Sequence, residues 1–255
     1  MRLTVLGGSA AGGNPGQACS GYLVESGGTA IALDLGAGTL PVLRSVTDAA
    51  ALDAIVISHV HLDHLLDLLA MRYFLAYSPD RTGRRVPLWM PPGGLGFLDR
   101  LAVALESDGE GDPYFSTFDA REYAPAEELR IGGLIVRFTP TVHYVPTWAM
   151  RVSDATSSVV YTADTGPAAN LAGFASAADV LVTEAAADVP GDEPWEERGH
   201  LTPEEAGALA RDAGAPRLLL SHLWRQFGFE RAAERAAAVF PGQVLIARQG
   251  LAIEC

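Results

Sequence analysis

The feature that most constrains the fold of this chain is a dense cluster of histidines. Three of its six histidines lie within the segment Ser58-His59-Val60-His61-Leu62-Asp63-His64, directly after the apolar run Ile55-Val56-Ile57. The apolar run predicts a buried strand. Helical spacing follows in Leu62, Leu65, Leu66, Leu69 and Tyr73. The pattern therefore places four candidate metal ligands at the junction between a buried strand and a helix.

The local geometry of this cluster predicts two neighbouring metal positions. If His59 and His61 leave the strand in an extended segment, both side chains point to the same side of the backbone. Asp63 and His64 begin the helix and turn toward an adjacent point. Hydrogen-bonded surface histidines are the alternative, and they would explain any one of these residues alone. The density of the cluster favours metal, and its four side chains cannot all converge on one four-coordinate ion.

Length and charge limit the classes of protein to consider. The chain has 255 residues, 49% of them hydrophobic, which predicts a single domain over residues 1–255 with a large core. All 18 basic residues are arginine, so a Schiff-base lysine and a phosphate-loop lysine are excluded. A net charge of −13 argues against a nucleic-acid partner. The nearest basic group, Arg81, Arg84 and Arg85, is interpreted as a solvated surface cluster.

No segment of the sequence predicts membrane insertion or export. Apolar runs stay well short of the roughly 18 residues that a spanning helix needs, and the first residues become polar too early for a secretory signal. Cys19 and Cys255 lie near opposite ends and form neither a disulfide framework nor a metal knuckle. We therefore predict a cytoplasmic protein with no membrane partner. Neither a monomer nor a homodimer is excluded.

The apolar periodicity predicts many short strands and a few helices. Strands are predicted at Leu3–Leu6, Gly21–Glu25, Thr29–Asp34, Ala54–Ile57, Pro87–Met90, Ile131–Thr139, Ala149–Ser153, Ser158–Thr162, Val180–Thr183, Arg217–Ser221, Gln243–Ala247 and Leu251–Glu254. Besides the helix after His61, helices are predicted at Leu95–Glu106, Pro167–Ala172, Pro203–Ala213 and Glu230–Val239. The segment Ser107–Glu128 is predicted to be a long surface loop, either a lid or a plain insertion.

The histidine cluster resembles that of the metallo-β-lactamase superfamily of binuclear metal hydrolases, and the resemblance runs in order from Met1 to about Ile253. His143 follows a predicted strand, as the third histidine of the family does, and His222 matches the last one. Asp164 stands in Tyr161-Thr162-Ala163-Asp164-Thr165-Gly166, which is similar to the family's G-D-T turn with Ala163 in place of glycine. Asp34 resembles the aspartate that braces the family's site. The resemblance implies a four-layer αβ/βα sandwich, with two mixed sheets face to face and helices outside.

The resemblance also implies a ligand set and a chemistry. One metal would be held by His59, His61 and His143. A second would be held by Asp63, His64 and His222, with Asp164 between the two. Imidazole and carboxylate ligands without thiolate suit Zn²⁺, and Mn²⁺ or Fe would accept the same set. Two divalent ions roughly 3.5–4 Å apart promote hydrolysis at neutral pH.

The sixth histidine distinguishes branches of the family. His200 precedes Leu201-Thr202-Pro203-Glu204-Glu205, in which Thr202 and Glu205 fit a capping box that starts a helix. Taken locally, His200 could simply help to cap that helix. The segment resembles a motif of the ribonuclease Z-like phosphodiesterase branch, and Glu184 resembles the acidic residue that the branch places before it. The resemblance implies that Asp63, His200 and Glu184 are catalytic residues.

Two kinds of phosphodiester substrate remain to be weighed. Ribonuclease Z processes the 3′ end of tRNA and inserts a tRNA-gripping arm between the third histidine and the bridging aspartate. Here only 20 residues separate His143 from Asp164, and two predicted strands occupy them. The chain is more similar to short homologues associated with cyclic nucleotides, so a small phosphodiester is the predicted substrate. Tyr144, Trp148 and Trp224 could stack a base beside the metals or simply pack. A lactonase, thioesterase or lactamase on the same metals is the remaining alternative.

Overall fold

The computed structural model describes residues 1–79, 83–105 and 115–255. Its strands are β1 Arg2–Gly7, β2 Gly21–Ser26, β3 Thr29–Leu33, β4 Ala54–Val56, β5 Val86–Met90, β6 Phe118–Glu122, β7 Leu129–Ile131, β8 Leu134–Pro140, β9 Trp148–Ser153, β10 Ser158–Tyr161, β11 Val180–Glu184, β12 Arg217–Ser221, β13 Gln243–Ile246 and β14 Ala252–Glu254. Its helices are α1 Thr39–Val46, α2 Leu62–Leu65, α3 Asp67–Tyr77, α4 Gly94–Leu105, α5 Pro203–Ala213 and α6 Phe229–Ala237. Short 3₁₀ turns occur at Ala49–Ala51 and Arg225–Phe227.

The strands form two seven-stranded sheets of mixed direction. The first sheet has the order β14-β1-β2-β3-β4-β5-β6 and the second has the order β13-β12-β11-β10-β9-β8-β7. In each sheet, a block of antiparallel strands continues into parallel ones, at β3–β4 in the first and at β10–β11 in the second. The first and last strands of the chain pair with each other, Leu3 opposite Ile253.

Three apolar clusters define the layers. The central cluster joins the inner faces of both sheets, for example Val24 and Val56 of the first with Val152 and Val182 of the second. A second cluster lies between the first sheet and helices α1, α3 and α4, and a third lies between the second sheet and helices α5 and α6. Helices therefore cover the outer face of each sheet, and the predicted four-layer sandwich is confirmed.

Helix α5 forms where its capping signals place it. Thr202 accepts a hydrogen bond from the Glu205 amide, the Glu205 carboxylate accepts one from the Thr202 amide, and Pro203 occupies the first turn. Gly214 ends the helix in the left-handed conformation, with φ 64°. The helix covers Pro203–Ala213 as predicted, so the segment that contains His200 enters it at a fixed point.

Several predicted elements differ from the structure. Residues 167–172 form turns and not a helix, and the residues predicted as one strand over Ile131–Thr139 form the hairpin β7–β8 around Gly132. The helix predicted after His61 is split into α2 and α3 at Leu66. The predicted loop Ser107–Glu128 contains strand β6, which pairs in parallel with β5. Residues 107–114 of that loop lie outside the described residues. The alternative of a lid therefore stays a prediction.

Helix α1 was not predicted, because two glycines, Gly36 and Gly38, directly precede it in the sequence. It begins after Gly38, which has φ 85°, and it buries Leu40 and Leu43. In the described ranges, no helix is long and apolar enough to cross a membrane.

Candidate metal centre

The cluster lies where strands of both sheets end. His59 follows β4, and Asp63 and His64 belong to the short helix α2 that comes next. Three further side chains come from the second half of the chain: His143 beyond β8, Asp164 beyond β10 and His222 beyond β12. The carboxyl ends of neighbouring parallel strands meet at one edge of a sheet, which is the common place for a site in such folds.

All seven side chains that the sequence predicted as ligands converge there. Ligand atoms of His59, His61, His143 and Asp164 lie within 4.8 Å of one another, and so do those of Asp63, His64, Asp164 and His222. The two groups share Asp164. The two groups therefore lie side by side around a common carboxylate.

Individual distances show how tightly the groups are built. In the first, His143 Nε2 lies 3.1 Å from His61 Nδ1 and 3.6 Å from Asp164 Oδ2. In the second, His222 Nε2 lies 2.9 Å from Asp63 Oδ2, and His64 Nε2 lies 3.3 Å from Asp164 Oδ1. These short distances bring the nitrogen and oxygen atoms of each group together.

Orphaned polar atoms show that the residues fit divalent cations. Among the described residues, His59 Nε2, His64 Nε2 and Asp164 Oδ1 are buried without a hydrogen-bond partner. Buried polar atoms are rarely left unpaired, since an unpaired one costs about 1–3 kcal/mol. One cation in each group would satisfy these atoms, and imidazole nitrogens with carboxylate oxygens are the ligands that Zn²⁺ accepts.

Burial and neighbouring groups set the ionisation states of His59 and Asp63. Burial lowers the pKa of His59 well below its ordinary value, with the positive charge of nearby His64 acting in the same direction. Burial alone would raise the pKa of Asp63, but the hydrogen bond from His222 and the charge of His64 hold it well below its usual range. His59 therefore offers a neutral imidazole and Asp63 an ionised carboxylate.

Outer contacts orient the ligands. Asp34 Oδ2 accepts a hydrogen bond of 2.7 Å from His64 Nδ1, Ser58 Oγ lies 2.9 Å from His59 Nδ1, and the carbonyl oxygen of Gly199 accepts one of 2.9 Å from His143 Nδ1. Each bond fixes one ring nitrogen and leaves the other free for the cluster. The role predicted for Asp34 agrees with these contacts. The contact of Ser58 with His59 was not predicted, and its position directly before His59 is the one signal in the sequence that could have suggested it.

His200 and Glu184 form a pair beside the cluster. Glu184 ends β11 and is buried, and its Oε1 accepts hydrogen bonds of 2.8 Å from both His200 Nδ1 and the Thr165 amide. The His200 ring stacks 5.8 Å from the His222 ring, and the ligand atoms of Glu184, His200 and His222 lie within 4.8 Å of one another. Burial would lower the pKa of His200, but the charge and hydrogen bond of Glu184 raise it to about 9. At neutral pH, His200 therefore carries a proton on the ring nitrogen that Glu184 leaves free.

The comparisons with known proteins give the family. Residues 15–223 match the family model of the beta-lactamase superfamily domain, so the chain belongs to this superfamily. It is 31% identical to the probable metallo-hydrolase YhfI of Bacillus subtilis over 100% of both chains. It is also 30% identical to a ribonuclease Z of Mycolicibacterium paratuberculosis, over 87% of this chain and 85% of the relative. The protein is a hydrolase of the metallo-β-lactamase superfamily, with relatives of the ribonuclease Z type.

Solved structures agree with this assignment. The crystal structure of Bacillus subtilis YhfI superimposes with a TM-score of 0.86 at 28% identity, over 100% of this chain and 99% of that one. A diphosphatase from the PhnP family superimposes with a TM-score of 0.78 at 20% identity, over 100% of this chain and 97% of that one. The second match shows a shared fold. The family and the cluster of histidines and aspartates together support a divalent metal site.

Proposed function

We propose that the protein is a binuclear metal-dependent phosphodiesterase that acts on a small phosphodiester such as a cyclic nucleotide. The observation that carries the proposal is the His200–Glu184 pair beside the histidine cluster. Hydrolysis of a phosphodiester expels an alkoxide, which needs a proton, and a positioned acid contributes about 10²- to 10⁴-fold to such a step. The Glu184 carboxylate keeps a proton on His200 at the edge of the site.

The proposed ligand set accounts for the other half of the chemistry. His59, His61 and His143 would hold one cation, and Asp63, His64 and His222 the other, with Asp164 shared. Bound Zn²⁺, or Mn²⁺ or Fe in its place, would supply Lewis acidity, which activates water and neutralises charge on phosphate oxygens. Asp63 Oδ2 lies 2.9 Å from His222 Nε2 and 3.4 Å from His64 Nε2, and we assign Asp63 a catalytic role in addition to its role as a ligand.

The chain itself positions the phosphate. His200 is the one site histidine whose ring the two ligand groups leave out, and 26% of its side chain is exposed, whereas the His222 side chain is 5% exposed. His200 is therefore accessible from solvent beside the cluster. Glu184 holds the orientation of that ring and also accepts a hydrogen bond from the Ala186 amide. We assign His200 as the proton donor and Glu184 as its positioning residue.

Replacement of His200 tests the proposal. We expect His200→Ala to keep the bound metal and the fold and to lower kcat on cyclic AMP by at least about a hundredfold. The loss should be smaller on bis-p-nitrophenyl phosphate, because p-nitrophenolate leaves without a proton. Steady-state rates on both substrates, with metal analysis of the variant, are the measurement. His200→Gln is the matched control for the volume of the side chain.

Other results of these rate measurements would contradict the proposal. Equal losses on both substrates would make His200 a binding residue and remove the argument for a proton donor. No loss on either would return His200 to an ordinary helix-entry residue. A wild-type protein that hydrolyses lactones or thioesters but no phosphodiester would overturn the proposed substrate class.

A ribonuclease Z activity on tRNA is the second candidate, favoured by the 30% identity to a ribonuclease Z. Two observations oppose it. The residues between His143 and Asp164 form the hairpin β9–β10, with Ser153 opposite Ser158, which leaves no length for an arm. The net charge of −13 offers little attraction to a polyanion. A tRNA substrate would bind with a steep dependence on salt, whereas a small substrate would not.

Three broader predictions accompany the proposal. A single domain over residues 1–255 is supported by the pairing of β1 with β14 and by the central cluster that both sheets build. A cytoplasmic location and the choice between monomer and homodimer stay predictions from the sequence.

A further inference from the structure

Tyr144 is an exposed aromatic ring at the mouth of the candidate site. It directly follows His143, and the residue is 55% exposed. Its ring centroid lies 5.7 Å from that of His200. Of the three aromatics that the sequence offered as base platforms, the structure places this one beside the proton donor. Of the others, Trp148 packs edge-on against Tyr123 beside the central cluster, and Trp224 lies against Gly12.

Three contacts fix the position of the Tyr144 ring. Its hydroxyl donates to Glu193, whose two carboxylate oxygens lie 3.0 and 2.9 Å away. Its ring lies so close to Gly199 that a Cβ there would be 2.7 Å from the nearest ring carbon, a distance that real side chains do not show. It also contacts the His143 ring, with centroids 5.1 Å apart at 50°. A ring that is anchored at its hydroxyl and along its side while staying exposed is preorganised for a ligand.

The hydroxyl of Tyr144 does not suit a catalytic proton. The phenol donates its hydrogen bond to the Glu193 carboxylate, so the hydroxyl is already engaged. What remains available to a ligand is the ring itself. Stacking on this ring is therefore the interaction that the geometry offers to a ligand.

We propose that Tyr144 is the platform on which the base of a nucleoside phosphodiester stacks, held in place by Glu193 and Gly199. The proposal rests on the phosphodiesterase function proposed above. A phosphate beside His200 carries its base one ribose away, and the Tyr144 ring is the neighbouring exposed surface. Stacking on an aromatic ring is tolerant of base identity, since every base has a π face. The substrate class is then base-bearing phosphodiesters, with weak discrimination among bases.

The test uses two substrates that differ only in the nucleoside. Thymidine 5′-(p-nitrophenyl phosphate) and methyl p-nitrophenyl phosphate release the same p-nitrophenolate, and only the first carries a base. With the metal-loaded full chain, we expect Tyr144→Ala to raise KM for the thymidine substrate about tenfold. KM for the methyl substrate should change less than about twofold, and kcat should change little on either. Tyr144→Phe keeps the ring and should stay near the wild type on both.

A binding measurement provides a second readout. Calorimetric titration of the metal-loaded protein with adenosine 5′-monophosphate should show about tenfold weaker binding in Tyr144→Ala, with no change for methyl phosphate. Tyr77→Ala is the matched control, because Tyr77 is a 63% exposed tyrosine at the far end of α3. Its KM and its affinity for both ligands should match the wild type.

The outcomes separate this proposal from the one on which it rests. Equal KM changes on the two substrates, or none on either, would overturn the platform, as would a loss in Tyr144→Phe as large as in Tyr144→Ala. If the wild type hydrolyses neither phosphodiester, the proposed function fails. The titration with adenosine 5′-monophosphate then still decides whether Tyr144 binds a base.

Discussion

Asp34 organises the site from one layer behind the ligands. Its Oδ1 accepts a hydrogen bond of 2.7 Å from the Ser58 amide, and its Oδ2 accepts hydrogen bonds from Ser58 Oγ, His64 Nδ1 and Tyr161 Oη. The residue is fully buried, and its backbone has φ 57°, which residues other than glycine rarely adopt. Backbone strain at a residue with four such partners indicates that the position of this carboxylate matters.

We expect Asp34→Asn to weaken metal binding by about 10- to 100-fold. The amide nitrogen of asparagine cannot accept a hydrogen bond, so one of the groups that now donate to Asp34 loses its partner and His64 loses its fixed orientation. Competition with a chromophoric chelator measures the affinity. Asp53→Asn is the control, because Asp53 also accepts a backbone hydrogen bond of 2.8 Å, from the Ala30 amide at the opposite end of β3. Unchanged affinity in Asp34→Asn would contradict an orienting role.

At the scale of residues, some features of the site could be predicted from the sequence and others could not. The spacing of the histidine cluster predicted that its side chains converge, and they do, because a strand end followed by a helix leaves them little freedom. Ala163 stands where the family's turn has glycine, and the structure gives φ 53° there, which explains the preference for glycine. Tyr144 was one of three aromatics that the sequence could not separate, since exposure and distance to His200 depend on the tertiary fold.

At the scale of elements, helix α5 anchors the segment that contains His200. Its capping box joins Thr202 to Glu205, and Arg198 forms an ion pair with Glu205 from the preceding segment. The side chain of Arg198 is 7% exposed, so the helix start is tied to the chain on both sides of His200. The capping box was predicted from sequence because it is a local motif of four residues.

We expect Thr202→Ala to lower the free energy of unfolding by about 1 kcal/mol, since it removes a side-chain cap. Glu184 should still hold His200, so kcat on cyclic AMP should fall far less than in His200→Ala. Denaturant titration and steady-state rates are the measurements. Thr47→Ala, at the C-terminal end of α1, serves as the control and should change stability by less than about 0.5 kcal/mol. A loss of activity as large as that of His200→Ala would show that the cap, and not Glu184, positions His200.

Elements whose cause lies far away in the sequence were the ones missed. Strand β6 is polar along most of its length, and it forms because β5 offers an edge, with Val86 opposite Phe118. Its sequence lacks the alternation of apolar and polar residues that predicts a strand, so its residues were assigned to a loop. Helix α1 was not predicted from the sequence, because the glycines before it are typical of a turn. By contrast, β10, β11 and β12 are continuous apolar runs, as expected for parallel strands covered on both faces.

For the molecule as a whole, the ligands divide between its two halves. His59, His61, Asp63 and His64 follow strand β4 of the first sheet, whereas His143, Asp164 and His222 follow strands of the second. Each proposed metal position takes ligands from both halves. Cations bound there would link the two sheets at one edge, in addition to the apolar cluster between them.

This division predicts how stability depends on metal. A ligand that binds only the folded state stabilises it by RT ln(1 + [L]/Kd), so above Kd each tenfold rise in free metal adds about 1.4 kcal/mol per site. With two sites, the free energy of unfolding should rise by about 2.8 kcal/mol per tenfold increase in free Zn²⁺. Denaturant titrations in Zn²⁺ buffers measure this slope, and chelation should give the lowest stability.

Asp63→Ala turns the slope into a count of ions. Asp63 contacts His64 and His222 of the second group, whereas the first group consists of His59, His61, His143 and the shared Asp164. Removal of Asp63 should therefore abolish one site and halve the slope to about 1.4 kcal/mol per tenfold increase in free Zn²⁺. A single cation in the wild type would give that lower slope already, and Asp63→Ala would then reduce it to nearly zero or leave it unchanged. Either result would contradict a binuclear centre divided between the two halves of the fold.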